Sequence, residues 1–108
     1  MIDRQKVYEK FNGHCAYCGK VITVKEMQVD HIVSKRRYGT DDFENLYPAC
    51  RQCNHYKRAE PLAIFRRMIK TLHGRIHKIY ICKVAEDYGI IDVKEWDGKF
   101  YFEREEEK

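Results

Sequence analysis

No stretch of this chain approaches the roughly 20 consecutive apolar residues that a membrane-spanning helix requires. Its first residues, MIDRQKVYEKF, lack the apolar core of a signal peptide. The expectation is therefore a protein of the reducing cytoplasm with no membrane association. No internal repeat, linker or low-complexity block divides the sequence. Nor does it contain a helix-turn-helix or an array of fingers for reading bases. What remains is one domain over residues 1–108, long enough for one modest core. In a reducing compartment, paired cysteines serve as metal ligands more readily than as disulfides.

The charge is unevenly spread. Residues 31–83 hold twelve Lys or Arg and four Asp or Glu, a local balance of +8 within a net charge of +4. Residues 84–108 hold four basic and nine acidic side chains, a balance of −5. A basic body with an acidic end suits an anionic partner on one face. It equally suits a solvated helix face followed by a solubilising tail.

Local patterns place the elements. DRQKVYEKFNG reads as a short helix, capped by Asp3 and ended by Asn12-Gly13. MQVDHIVS is strand-like, KRRYGTDDFEN is a polar loop, and LYPAC is a short extended piece with Pro48 at an edge or a strand end. RQCNHYKRA opens a helix. After Glu60-Pro61, Leu62, Phe65, Ile69 and Leu72 keep helical spacing until Gly74 interrupts. RIHKIYICKVAEDYG reads as another helix, with its β-branched residues leaving a strand open. VKEWDGKFYFE carries a two-residue Asp97-Gly98 loop between aromatic arms and predicts a β-hairpin, with REEEK as a frayed tail.

Cys15-Ala-Tyr-Cys18 and Cys50-Arg-Gln-Cys53 are two C-x-x-C turns. One such turn suits a redox motif; two suit a tetrahedral, structural Zn²⁺ with Zn–S near ~2.3 Å. The 31 residues between them exceed the ~15–20 of the usual four-cysteine pattern, so the intervening stretch must build something of its own. Zinc bound this way supplies ~10–16 kcal/mol of folding free energy, which a thin core needs. Cys82, in an apolar segment, is read as a small core residue. His14 borders Cys15 and is a candidate zinc neighbour, and His73 and His77 are read as surface residues.

Inside that stretch, VDHIV sets a carboxylate and an imidazole side by side in an apolar run. The segment VDHIVSKRRYGTDDFENLYPACRQCNHYK resembles the core of the HNH endonucleases, in the subgroup braced by a four-cysteine zinc. The match rests on Asp30-His31, Asn45-Leu46, Cys50, Cys53, Asn54 and Lys57, and it covers about residues 11–58. Residues 59–108 form an extension without a recognised motif.

The resemblance implies an α+β chain: a ββα-metal finger with a structural four-cysteine zinc site, flanked by an N-terminal helix and a C-terminal helical and β-hairpin extension. It also implies roles. Asp30 and Asn54 would ligate a catalytic divalent ion, and His31 would be the general base. Asn45 would tie the loop between the strands and help orient His31. Lys57 would meet a phosphate or the scaffold. The alternative ligand to Asn54 is its neighbour His55. Ser34 and Tyr38-Gly39 stand where the family often has Pro and Gly-Gly, and Lys35, Arg36 and Arg37 make that loop suited to DNA phosphates.

The chemistry accounts for these residue types. A neutral imidazole takes a proton from water near neutral pH. A carboxylate and an amide oxygen suit a hard cation such as Mg²⁺ or Mn²⁺, which takes up charge on a departing 3′ oxygen. The implied activity is metal-dependent hydrolysis of DNA phosphodiesters, leaving 5′-phosphate and 3′-hydroxyl ends. The rival is a non-catalytic zinc-braced module that binds nucleic acid through its basic residues. Tyr80, Trp96, Phe100 and Phe102 admit a protein partner on the C-terminal extension, or simple packing onto the finger.

Overall fold

The computed structural model describes residues 1–108 and divides them into two compact units: residues 1–62 with 99–108, and residues 63–98. No helix is long and apolar enough to cross a membrane.

The first unit contains α1 (Arg4–Glu9), β1 (Gln28–His31), β2 (Leu46–Ala49), α2 (Arg51–Lys57) and, from the chain's end, α6 (Tyr101–Glu106). Asp3 caps α1 through Lys6 N, and Asn12 and Gly13 end that segment in the left-handed region. The two strands pair antiparallel with Asp30 opposite Tyr47 and His31 opposite Leu46. Pro48 sits inside β2, opposite Val29, and the sheet has only these two strands, so each has an edge for a residue without N–H. Two short 3₁₀ turns, Lys35–Arg37 and Phe43–Asn45, fill the loop between the strands. This is the ββα arrangement expected above.

Before β1 the first C-x-x-C turn folds as a tight knuckle. Cys15 N donates to Lys20 O at 2.9 Å and Gly19 N to Cys15 O at 3.0 Å. Gly19 has φ +83°, and a Cβ there would fall 2.6 Å from the Tyr101 ring. Only glycine fits that approach.

The end of the chain departs from expectation. No hairpin forms at Asp97-Gly98; residues 91–100 are irregular, and the region expected as a second arm and a frayed tail is α6. The reason is local. The Tyr101 and Phe102 amides lie in the first turn of a helix, where no intrahelical acceptor exists. They donate instead to Tyr17 O and Ala16 O at 3.0 and 2.8 Å. Glu103 reaches back to the Phe100 amide at 2.9 Å. The alternating aromatics thus face the knuckle. Phe100 lies 5.3 Å from the Tyr17 ring and Phe102 4.8 Å from the Tyr47 ring, both buried. With Val7, Ile22, Met27 and Leu46 they make the core of this unit. Packing, not partner recognition, is their use.

The second unit holds most of α3 (Leu62–Lys70), together with α4 (Leu72–His77) and α5 (Tyr80–Asp87). Gly74 does not interrupt a helix; it lies within α4, and breaks occur at Thr71 and at Lys78-Ile79. The β-branched segment after it is helical, not a strand. Tyr80, Ile81, Tyr88 and Ile90 are exposed.

Phe100→Ala should cost ~3–5 kcal/mol in chemical denaturation, because it empties a buried aromatic site. Loss of less than about 1 kcal/mol would show that residues 99–108 do not belong to the core.

Candidate metal centre and hydrolytic site

The two knuckles meet. The Sγ atoms of Cys15, Cys18, Cys50 and Cys53 all lie within 4.8 Å of one another, with Cys18 and Cys50 at 3.9 Å. A tetrahedral Zn²⁺–thiolate site with bonds of ~2.3 Å has sulfur–sulfur edges of ~3.8 Å, so the set fits zinc. Cys50 is the residue that caps α2: its Sγ accepts from Cys53 N at 3.3 Å. Shared thiol hydrogen bonds from Cys18 and Cys53 pull the Cys15 thiol far down. Hydrogen bonds to Cys15 and Cys18, then burial, push Cys53 far up, and Cys15 raises Cys18 to about 11. Four thiolates this close need a dication between them. His14 is not part of this centre. Its Nδ1 lies 2.8 Å from Gly19 O, and its ring stacks on Tyr101.

Asp30 and His31 project to opposite faces of β1, as strand geometry requires. Asp30 points inward and is 4% exposed. Tyr17 Oη donates to its Oδ2 at 2.5 Å, and Lys57 Nζ lies 3.2 Å from Oδ2 and 3.4 Å from Oδ1. Lys57 Nζ also donates to His31 O at 3.4 Å. Burial pushes the Asp30 carboxyl above its ordinary range, against the opposing pull of the Tyr17 hydroxyl and the Lys57 ammonium. Burial, and next the Asp30 charge, drives the Tyr17 hydroxyl well above its ordinary range. Lys57 is fully buried. The expected phosphate contact therefore gives way to the scaffold: an ammonium with no exposed surface, paired to Asp30, has no face for DNA.

His31 points outward, with 24% of its side chain exposed. Its Nε2 lies 2.7 Å from Asp41 Oδ1, and Lys35 Nζ lies 2.9 Å from Asp41 Oδ2. These contacts, first His31 and then Lys35, hold the Asp41 carboxyl below its ordinary range. Asn45 ties the loop to the strand. Its Oδ1 accepts from Val33 N at 2.8 Å, and its Nδ2 donates to Val33 O and Thr40 O at 3.0 and 2.8 Å. Gly39 lies against the Val33 carbonyl, where an added Cβ would come within 1.7 Å. Arg36 and Arg37 are exposed on the same loop, whereas Lys35 is committed to Asp41.

Asn54 lies on α2 one turn before Lys57, and Cys50, Cys53, Asn54 and Lys57 follow the i, i+3, i+4, i+7 stripe of one helix face. His55 falls off that stripe and is exposed, in a shallow groove with Lys20, Lys25 and Gln28. It is not placed to replace Asn54, because α2 begins at Arg51, in the register that sets Asn54 and Lys57 on one face.

Tyr17 and Asp41 carry weight that the motif did not assign. Tyr17 sits inside the first C-x-x-C turn, where the aromatic between two ligands is the only signal. Asp41 lies ten residues beyond His31 in a run of polar loop residues, and nothing in that composition singles it out.

Residues 15–60 match the family model of the HNH endonucleases. They are an HNH endonuclease domain. The CRISPR-associated endonuclease Cas9 of Corynebacterium diphtheriae is 38% identical over 65 residues, covering 59% of this chain and 6% of that protein. The crystal structure of the Type II-C Cas9 enzyme from Actinomyces naeslundii superposes with a TM-score of 0.53 at 27% identity, over 68% of this chain and 9% of that one. The chain thus spans less than a tenth of the length of these relatives.

Within the HNH domain, Asp30 and Lys57 form a buried ion pair whose partners depend on each other. Lys57→Met leaves the carboxylate uncompensated and should cost ~3–5 kcal/mol in denaturation of the metal-loaded protein. An unchanged midpoint would mean that the pair is not formed.

Proposed function

We propose that this chain is a metal-dependent DNA endonuclease in which His31 is the general base, braced by a structural Zn²⁺ on Cys15, Cys18, Cys50 and Cys53. The observation that carries this reading is the paired state of His31. With Nε2–H donated to Asp41, the ring keeps its lone pair on Nδ1, the nitrogen that can take a proton from water. The Lys35 contact on the other Asp41 oxygen keeps that carboxylate in place. The three hydrogen bonds of Asn45 hold the loop that carries Asp41 against the strand that carries His31. Exposed Arg36 and Arg37 offer two cations to backbone phosphates.

Asp30 and Asn54 are the residues that would hold the catalytic ion. Their oxygens are hard donors, and the 3.4 Å contact from Lys57 leaves Asp30 Oδ1 lone pairs for a further partner. When bound, Mg²⁺ or Mn²⁺ supplies positive charge where the 3′ oxygen departs. The products are then 5′-phosphate and 3′-hydroxyl ends.

A second reading, a zinc-braced module that binds nucleic acid without cutting it, draws on one observation. Asp30 is already neutralised by Lys57 and hydrogen-bonded to Tyr17. On that reading, DNA binding survives EDTA and no divalent ion elicits cleavage.

Supercoiled plasmid incubated with purified protein and Mg²⁺ or Mn²⁺ should relax to nicked circles that DNA ligase reseals directly. His31→Ala should slow nicking by ~10²–10⁴-fold with zinc content and DNA affinity retained. Asp41→Asn should slow it less, because the base remains and only its orientation is lost. Nicking by His31→Ala at the wild-type rate would falsify the assignment of the base.

A further inference from the structure

The second unit contains a side-chain cluster that the nuclease reading leaves unused. His73 and His77 stand four residues apart on α4, so both rings leave the same face of the helix. Their Nε2 atoms are 3.0 Å apart, and the rings meet edge to face with centroids at 4.3 Å. On the far side of the second ring, His77 Nδ1 lies 2.9 Å from Glu86 Oε1, on α5. His77 and Glu86 are half-buried, with 38% and 24% of their side chains exposed.

The contact to Glu86 fixes the tautomer. Nδ1 of His77 carries the proton, and its Nε2 presents a lone pair to His73. A carboxylate behind a histidine, raising the basicity of the opposite nitrogen, is the arrangement that supports imidazole as a metal ligand. An ion ~2.0–2.1 Å from each nitrogen would see the pair, 3.0 Å apart, at an angle of about 91–97°. That is the angle between adjacent positions of a square-planar or octahedral ion, and it is narrower than a tetrahedral site wants. Imidazole nitrogens select borderline transition metals over Mg²⁺ or Ca²⁺.

We propose that His73 and His77, with Glu86 holding His77, form a second metal site for a square-planar or octahedral transition-metal dication of the Ni²⁺ or Cu²⁺ type. It is separate in chemistry from the four thiolates and from the hard-oxygen pair Asp30 and Asn54. Two protein nitrogens bind the ion, and water completes its coordination. Without metal, the same nitrogens share one hydrogen bond, His73 Nε2–H donating to His77 Nε2. Loading the site moves the His73 proton to Nδ1 and turns both lone pairs on the ion.

The test uses the zinc-loaded full chain with ¹⁵N-labelled imidazoles, in excess Mg²⁺ to occupy hard-oxygen sites. Stoichiometric Ni²⁺ should broaden the His73 and His77 resonances through its paramagnetism. In calorimetry, His73→Gln and His77→Gln should each weaken Ni²⁺ binding by about tenfold or more, and Glu86→Gln by about tenfold, the usual effect of losing a carboxylate behind a ligating imidazole. Plasmid nicking should be unchanged in all three. Sharp His73 and His77 resonances with Ni²⁺ bound elsewhere would overturn the site and reduce the pair to an imidazole–imidazole hydrogen bond. Wild-type Ni²⁺ affinity in both Gln variants would do the same.

Discussion

The convergence of four cysteine sulfurs is the constraint on which the HNH domain depends. It joins a knuckle before β1 to the start of α2, across 31 intervening residues. Each side of the clamp then passes one side chain to Asp30. Tyr17, between the first two cysteines, donates its hydroxyl; Lys57, one helical turn past Asn54 and Cys53, brings its ammonium. Because Cys50 and Cys53 share a helix face with Asn54 and Lys57, fixing the sulfurs fixes the rotation of α2 about its axis. The metal site and the candidate hydrolytic site are thus two ends of one rigid arrangement.

The strand supplies the other constraint. Side chains alternate across β1, so Asp30 and His31 meet different media despite adjacent positions. The carboxylate is taken into the core and held by two donors. The imidazole is left at the surface, where a chain of contacts through Asp41 to Lys35 sets its ring. A single dipeptide thereby yields one group held in place by burial and one reachable by solvent. The proposed division of labour between them follows from environment rather than from residue type.

The finger itself was legible because its signals are local or strictly spaced. Asp3 and Asn12-Gly13 mark a helix by capping chemistry, and two C-x-x-C turns mark their own convergence. Asp30 and Asn45 were legible through the motif alone. Asp41, Tyr17 and the burial of Lys57 were not, because each depends on which residues a fold brings together. The C-terminal segment misled for a definite reason. Lys-Phe-Tyr-Phe-Glu after Asp-Gly has the alternation of a strand, yet its amides find better acceptors on the knuckle as the first turn of α6. His73 and His77 looked like ordinary surface residues because Glu86, nine residues beyond His77, comes within reach only when α4 and α5 fold together.

The Asp30–Lys57 pair also bears on how a divalent ion would be accepted. Burying an ion pair adds little net stability, since desolvating both charges cancels most of their attraction. Stability therefore does not explain why a thin core would keep this one. On the proposed reading preorganisation does: an ionised carboxylate stays in the core only if a cation stands beside it, and Lys57 provides one. Asp30 would then offer a dication a carboxylate already held in place by Tyr17 and Lys57, and the Lys57 ammonium has a second acceptor in the His31 carbonyl at 3.4 Å. On that reading Lys57 ties the proposed metal ligand, Asp30, to the backbone of the proposed general base, His31.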